Sequence, residues 1–116
     1  MKLALLVLFA GLCHASDWTR FRGPNGSGVS EDGALPAEIG ADKNVRWKTA
    51  LPKGKSSPVI TADRIYLTGH ENGKLLTLAL ERKSGELLWR KEAPGHRDEK
   101  RNDLNDPAAP TPVTDG

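Results

Sequence analysis

The sequence predicts an all-β protein, and three observations support this prediction. Beyond residue 43, short runs of β-branched and apolar residues are separated by polar loops of two to five residues, the spacing of antiparallel strands. One of these loops contains Ser84-Gly85, and an uninterrupted helix would not place a glycine there. Two strand-like runs end close to a tryptophan, Trp47 and Trp89, which lie 42 residues apart (89 − 47 = 42).

Five strand-like runs are predicted in this part of the chain. They cover residues 45–49, 58–61, 64–68, 75–80 and 86–90. The run at 75–80 is largely apolar, which predicts a strand buried on both faces. The predicted turns between the last four runs are residues 62–63, 69–73 and 82–85. The result is an antiparallel meander of four strands, preceded by one separate strand.

Residues 16–43 have a different composition. They are rich in Gly, Pro, Asn and Asp, which are residues that form turns and supply positive φ angles. We therefore expect an irregular N-terminal arm. Its two aromatic residues, Trp18 and Phe21, are expected to hold the arm against a neighbouring surface.

Two short patterns repeat along the chain. The run at 45–48 around Trp47 is similar to that at 87–90 around Trp89, and Ser57-Pro58-Val59 is similar to Thr111-Pro112-Val113. The second pair is 54 residues apart (112 − 58 = 54), so 12 additional residues (54 − 42 = 12) fall in a charged loop at 96–109. Four strands in a period of about 40–45 residues are typical of a β-propeller blade.

The predicted fold class is therefore a β-propeller of four-stranded antiparallel blades, with about one blade in this chain. The predicted partial propeller covers residues 44–116. It consists of a closing strand at 44–51, a blade at 56–93 and the start of the next blade at 110–116. Because a propeller needs about 4 to 8 blades, we expect this sequence to be the N-terminal piece of a longer protein.

Residues 1–15 have the layout of a secretory signal peptide. Lys2 precedes ten apolar or glycine residues, and Cys13 and Ala15 supply small residues before a cleavage point after Ala15. An apolar run of this length is shorter than the roughly 20 residues needed to span a bilayer. Leu12 directly before Cys13 argues against lipoprotein processing. The sequence thus predicts an exported protein, periplasmic or extracellular, with no stable membrane span.

Charge and cysteine content narrow the classes of partner and chemistry. The chain contains 17 Lys and Arg against 15 Asp and Glu, a net charge of +2, which gives no electrostatic argument for binding nucleic acid. Removal of the signal peptide would remove the single cysteine. The mature chain would then have neither a disulfide nor a thiol nucleophile.

Residues 79–89 resemble the tryptophan-docking motif of quinoprotein-type β-propellers, the pyrroloquinoline-quinone-like repeats, with pattern Ala-x-Asp-x-x-Thr-Gly-x-x-x-Trp. The residues of the motif in this chain are Ala79, Glu81 in place of Asp, Ser84 in place of Thr, Gly85, Trp89, and Trp47 from the preceding unit. Residues 17–26 also look like the start of secreted bacterial proteins with such repeats. The resemblance implies that each tryptophan packs against a neighbouring blade, and that the acidic and hydroxyl residues hold the turn together.

Other candidate sites carry less chemistry. His70-Glu71 has no second histidine at ligand spacing, so we interpret it as a solvated turn. The oxygen-bearing residues between 98 and 106 lack the glycine of a calcium loop. Long loops between blades often form binding surfaces, which makes the loop after residue 95 the predicted partner contact, with His96, Arg97, Asp98 and Arg101 as its candidate residues. No catalytic, cofactor-binding or metal-binding residue is assigned.

The predicted function is that of a binding or scaffolding module without catalysis. Its expected partners are other proteins or components of the cell envelope. The resemblance leaves two alternatives open, because one fold serves many functions. The first is a dehydrogenase that uses pyrroloquinoline quinone (PQQ) and calcium, which would be cofactors only in that case. The second is a sensor or substrate-binding domain of a larger exported protein.

Overall fold

The computed structural model describes residues 17–31, 33, 35–95, 100 and 102–116. Its centre is a single open antiparallel sheet of four strands in the order β1-β2-β3-β4. The strands are β1 (Val59–Ile60), β2 (Arg64–Glu71), β3 (Lys74–Glu81) and β4 (Leu87–Glu92). The described residues contain no helix. The prediction of an all-β fold with an antiparallel four-stranded meander is confirmed.

The hairpin between β2 and β3 is tighter than the sequence predicts. Residues 69–71, expected in a loop, continue β2, and every residue of β2 pairs with β3 up to Glu71 opposite Lys74. The turn consists of Asn72-Gly73 alone, with φ angles of 52° and 75°. Asn-Gly is the preferred sequence of a two-residue hairpin turn because both positions need positive φ. His70 and Glu71 are therefore strand residues, and the prediction of a turn there was wrong.

The β3–β4 pairing contains an irregularity beside the tryptophan. Ala79 is opposite Trp89, whereas Leu80 is opposite Leu87, so Leu88 has no partner across the ladder. An extra residue of this kind bends and twists the strand locally. β4 consequently begins one residue later than predicted and extends to Glu92.

The sheet has two faces of different composition, because alternate residues of a strand point to opposite sides. The first face carries Leu76, Leu78 and Leu80 of β3, which form the buried core. Four half-buried residues pack against this core: Trp47, Leu51, Ile65 and Leu67. The second face carries Ala79 together with its cross-strand partners Tyr66 and Trp89. Burial of residues 78–80 from both sides agrees with the apolar run in the sequence.

The segment before the sheet crosses the first face. Trp47 and Leu51 lie on the core, and Lys53 forms an isolated bridge with His70 at the edge of β2. Residues 44–51, the predicted closing strand, have no strand partner among the described residues. This segment is thus a cover for the sheet rather than a member of it.

The N-terminal arm is joined to the sheet through Trp18. Trp18 forms an antiparallel bridge with Ile60 of β1, and it does so through backbone atoms rather than through its ring. Phe21 is 60% exposed, so the prediction that it also anchors the arm was wrong.

Within the described ranges, no helix combines the length and hydropathy required to cross a bilayer. The predicted signal peptide, residues 1–15, lies outside the described residues.

Candidate tryptophan-docking site

The candidate site is built around the β3–β4 turn, residues 81–86. Its backbone is closed by two hydrogen bonds, from the Glu81 N–H to the Glu86 carbonyl and from the Gly85 N–H to the Glu81 carbonyl, both 2.8 Å. Two side chains satisfy further backbone donors. The Ser84 N–H donates to Glu81 Oε2 at 2.5 Å, and the Glu86 N–H donates to Ser84 Oγ at 3.2 Å. Side-chain acceptors of this type hold a turn in one conformation.

These contacts lower the pKa of the Glu81 carboxyl group. Its pKa lies below the ordinary value of 4.5, chiefly because the Ser84 N–H donates to the carboxylate, with further contributions from the Ser84 hydroxyl and the Lys83 N–H. Donors that bond the charged form stabilise it over the protonated form. Glu81 is therefore an ionised structural acceptor at neutral pH.

Gly85 lies where the indole ring of Trp47 comes closest to the β3–β4 turn. Its φ angle is +74°, a conformation that other residues adopt at a cost. A Cβ built on Gly85 would overlap the indole ring of Trp47 and would lie 2.8 Å from Thr49 Oγ1. Only glycine satisfies both the backbone angle and the close approach of the ring.

Trp47 is held on this turn by polar contacts as well as by stacking. Its indole Nε1–H donates to the Arg82 carbonyl at 3.0 Å. Two residues later, the Thr49 hydroxyl donates to the Gly85 carbonyl at 2.6 Å. Because a buried indole N–H needs a partner, these contacts fix the orientation of the ring on the β3–β4 turn.

Arg82 joins the β3–β4 turn to the connection between β1 and β2. The Arg82 N–H donates to the Asp63 carbonyl at 2.9 Å, and Arg82 Nη1 donates to the Thr61 carbonyl at 2.8 Å. Sequence reasoning did not single out Arg82 or Thr49. Arg82 accepts the indole N–H through its backbone carbonyl, which leaves no requirement on residue type. The Thr49 hydroxyl and the Arg82 guanidinium donate to backbone carbonyls, which no sequence pattern marks.

Trp89 lies in a different environment. It faces away from the core on the second face, where its ring centroid is 6.1 Å from that of Tyr66 at an interplanar angle of 47°. Lys91 Nζ lies 5.3 Å from the Trp89 ring centroid, within the range of a cation–π contact. Among the described residues, no acceptor receives its indole N–H. The structure thus brings together Glu81, Ser84, Gly85 and Trp47, and leaves Trp89 on the opposite side of the sheet.

The segments that share a Ser/Thr-Pro-Val pattern lie side by side. The Ser57 N–H donates to Thr111 Oγ1 at 3.0 Å, and the Lys55 N–H donates to the Ala108 carbonyl at 3.3 Å. The Thr68 hydroxyl lies within 3.0 Å of the Ala108 carbonyl and 2.9 Å of the Pro110 carbonyl. Residues 108–111 are therefore bonded to the segment before β1 and to Thr68 of β2.

Two small clefts separate residues 107–114 from the second face. One, of about 200 Å³, lies between Tyr66 and Val113, and the other, of about 190 Å³, lies between Leu75 and Pro110. Neither lining contains an acidic or basic side chain. Their size and composition suit packed apolar side chains.

The remaining candidates do not converge on a reactive centre. The Glu71 carboxylate pairs with Arg90 at 2.6 Å rather than with His70. The described ranges contain no group of three or more His, Cys, Asp or Glu residues arranged to hold a metal ion. The candidate partner residues His96, Arg97, Asp98 and Arg101 lie outside the described residues.

The described end of the charged loop, residues 102–109, uses its oxygen atoms internally. Side-chain oxygens of Asn102, Asn105 and Asp106 accept backbone N–H groups within this segment. The loop is thereby folded by its own side chains, which is typical of Asn- and Asp-rich turns.

Comparisons of the chain with protein-family models, with curated proteins and with solved structures gave no match.

Proposed function

We propose that this chain is the N-terminal part of an exported β-propeller with quinoprotein-type repeats, and that the propeller acts as a binding or scaffolding module. The observation that carries the proposal is the docking of Trp47 on the β3–β4 turn. Its indole N–H bonds to the Arg82 carbonyl, and its ring lies against Gly85. A tryptophan from one repeat seated on the turn of the next is the contact expected between blades.

The environment of Trp89 supports further repeats. The turn at Gly85 is already occupied by Trp47, so Trp89 needs the corresponding turn of another unit. It lies on the second face beside Tyr66, next to clefts of side-chain size. A following blade would cover this face, as residues 44–53 cover the first.

A second repeated contact supports the same architecture. Ser57 and Thr111 are equivalent positions of the Ser/Thr-Pro-Val pattern, and the backbone of one bonds the hydroxyl of the other. Equivalent residues of successive repeats become neighbours when units are related by a regular rotation. The contact is expected where the inner strands of two blades meet.

The roles of the charged residues favour a module over an enzyme. Glu71 pairs with Arg90, Glu92 pairs with Lys74, and Glu81 holds the docking turn. Each carboxylate thus has a structural partner. The proposed partners are other proteins or components of the cell envelope, contacted through the loop after residue 95.

A cofactor-retention experiment tests this function. The full-length protein is incubated with PQQ and Ca²⁺, desalted, and assayed for quinone absorbance and for dye reduction with primary alcohols. We expect neither retained quinone nor dye reduction. Stoichiometric retention of quinone with dye reduction would replace the module with the dehydrogenase.

Export is part of the proposal and has its own test. Signal peptidase prefers small residues three and one before the cut, as at Cys13 and Ala15. N-terminal sequencing of the secreted protein is expected to begin at Ser16. A lipid on Cys13 or a retained Met1 would instead place the protein on a membrane.

A further inference from the structure

Residues 17–28 form a compact unit, here called the N-terminal hook. The Gly23 N–H donates to the Arg20 carbonyl at 3.0 Å, and the Gly28 N–H donates to the Arg22 carbonyl at 2.8 Å. Arg20 Nε also reaches back to the Gly23 carbonyl at 3.3 Å. The hook is thus held by its own hydrogen bonds rather than by an extended contact with the sheet.

The hook bonds two residues that are equivalent in the repeat. The Trp18 N–H donates to the Ile60 carbonyl at 2.7 Å, and the Ile60 N–H donates to the Trp18 carbonyl at 2.8 Å. The Thr114 N–H donates to the Thr19 carbonyl at 3.0 Å. Ile60 and Thr114 are 54 residues apart (114 − 60 = 54), the same spacing as Ser57 and Thr111 (111 − 57 = 54).

The geometry of an extended chain explains how the adjacent residues Trp18 and Thr19 bond to different segments. Successive residues of a strand direct their N–H and C=O groups to alternate edges. Trp18 uses both of its groups toward β1, so the Thr19 carbonyl faces the other way, toward Thr114. Residues 18–19 therefore lie between the first inner strand and the segment that begins the next unit.

Inside the hook, Gly23 packs closely against the ring of Trp18. Gly23 is buried with a φ angle of +78°, and a Cβ there would lie 2.7–2.8 Å from three atoms of the Trp18 ring. Gly26, in the same hook, has a φ angle of +70°, but a Cβ there would meet nothing within 4 Å. The two glycines share the backbone requirement and differ in the contact with Trp18.

We propose that the N-terminal hook is a clasp that joins the inner strands of the first two repeat units, independently of tryptophan docking. The hook binds the backbone edges of two strands, at Ile60 of β1 and at Thr114, and we assign the second of these edges to the inner strand of the following unit. The inference rests on the proposed propeller, because the second of these edges belongs to a unit that continues beyond Thr114.

The test compares Gly23→Ala with Gly26→Ala in the full-length mature protein, by amide hydrogen exchange resolved at single residues. Both substitutions impose the same left-handed strain, but only the first displaces the Trp18 ring. We expect Gly23→Ala to accelerate exchange of the Ile60 and Thr114 amides about tenfold or more, and Gly26→Ala to change it by less than about threefold.

The possible results distinguish failure of the clasp proposal from failure of the propeller proposal. Wild-type exchange rates at Thr114 in Gly23→Ala, or equal acceleration in both variants, would overturn the clasp. The Trp89 indole N–H, followed in the same experiment, reports on docking to the next unit. Protection of this indole without protection of the Thr114 amide would leave the propeller standing and remove the clasp. Absence of protection at both would remove both proposals.

Discussion

Trp47 and Trp89 are in similar sequence contexts, yet they occupy contrasting surroundings. Trp47 has a flat turn beneath its ring and a carbonyl opposite its indole N–H. Trp89 has Tyr66 at its edge, Lys91 above its ring, and no acceptor among the described residues. The difference shows that docking is a property of the receiving turn. A tryptophan alone does not create the contact; a glycine with positive φ and an exposed backbone carbonyl must face it.

The largest effect is expected from truncating the two tryptophans in the full-length protein. Trp47→Ala should lower the free energy of unfolding by about 3–5 kcal/mol, the cost of removing a packed aromatic ring. Trp89→Ala should cost the same amount if a following unit supplies its turn. Denaturant midpoints at constant slope measure both values. A wild-type midpoint for Trp89→Ala beside a large loss for Trp47→Ala would mean that Trp89 has no docking turn.

A smaller effect is expected from altering the receiving turn. Gly85→Ala imposes left-handed strain and drives a methyl group into the Trp47 ring, at a cost of about 3 kcal/mol in the free energy of unfolding. Gly73→Ala is the matched control, because Gly73 has a φ angle of +75° and open space at Cβ. It should cost about 1 kcal/mol. Equal costs for the two variants would show that strain alone, and not the ring contact, requires glycine at position 85.

The smallest expected effect concerns Glu81 and is visible in the pH dependence. The pKa of Glu81 in the folded protein lies below 4.5, so its contribution is present above that pH and is lost as the pH falls through the folded-state pKa. Glu81→Gln removes the titration. Wild type should therefore lose more stability than Glu81→Gln as the pH falls from above 4.5 through the folded-state pKa of Glu81. Parallel losses in thermal melts across this range would contradict a role for the carboxylate in the turn.

Local sequence patterns predicted the part of the fold that depends on near neighbours. The alternation of apolar runs and turns located all four strands, and Ser84-Gly85 located the docking turn. Gly69 misled the prediction, because glycine is also a turn signal. In the structure Gly69 lies in β2, where a Cβ would come within 3.2 Å of Pro52 and 3.4 Å of Leu78. Close packing, and not a chain reversal, requires glycine at this position.

Contacts between segments that are distant in the sequence could not be predicted from local sequence patterns. The bonds of Trp18 with Ile60 and of Thr19 with Thr114 involve backbone atoms, so they leave no requirement on residue type. The carbonyl of Arg82 as the indole acceptor escaped prediction for the same reason. The exposed ring of Phe21 shows the converse, since an aromatic residue in an arm need not anchor it.

The N-terminal hook has a consequence for the order of events during folding. Thr19 and its partner Thr114 are 95 residues apart (114 − 19 = 95), and pairings between such distant segments form late. The hook is synthesised early, but it can close only when the chain up to Thr114 is present and β1 has formed. Closure of the hook is therefore expected to be a late step of folding, after the hairpins of the sheet.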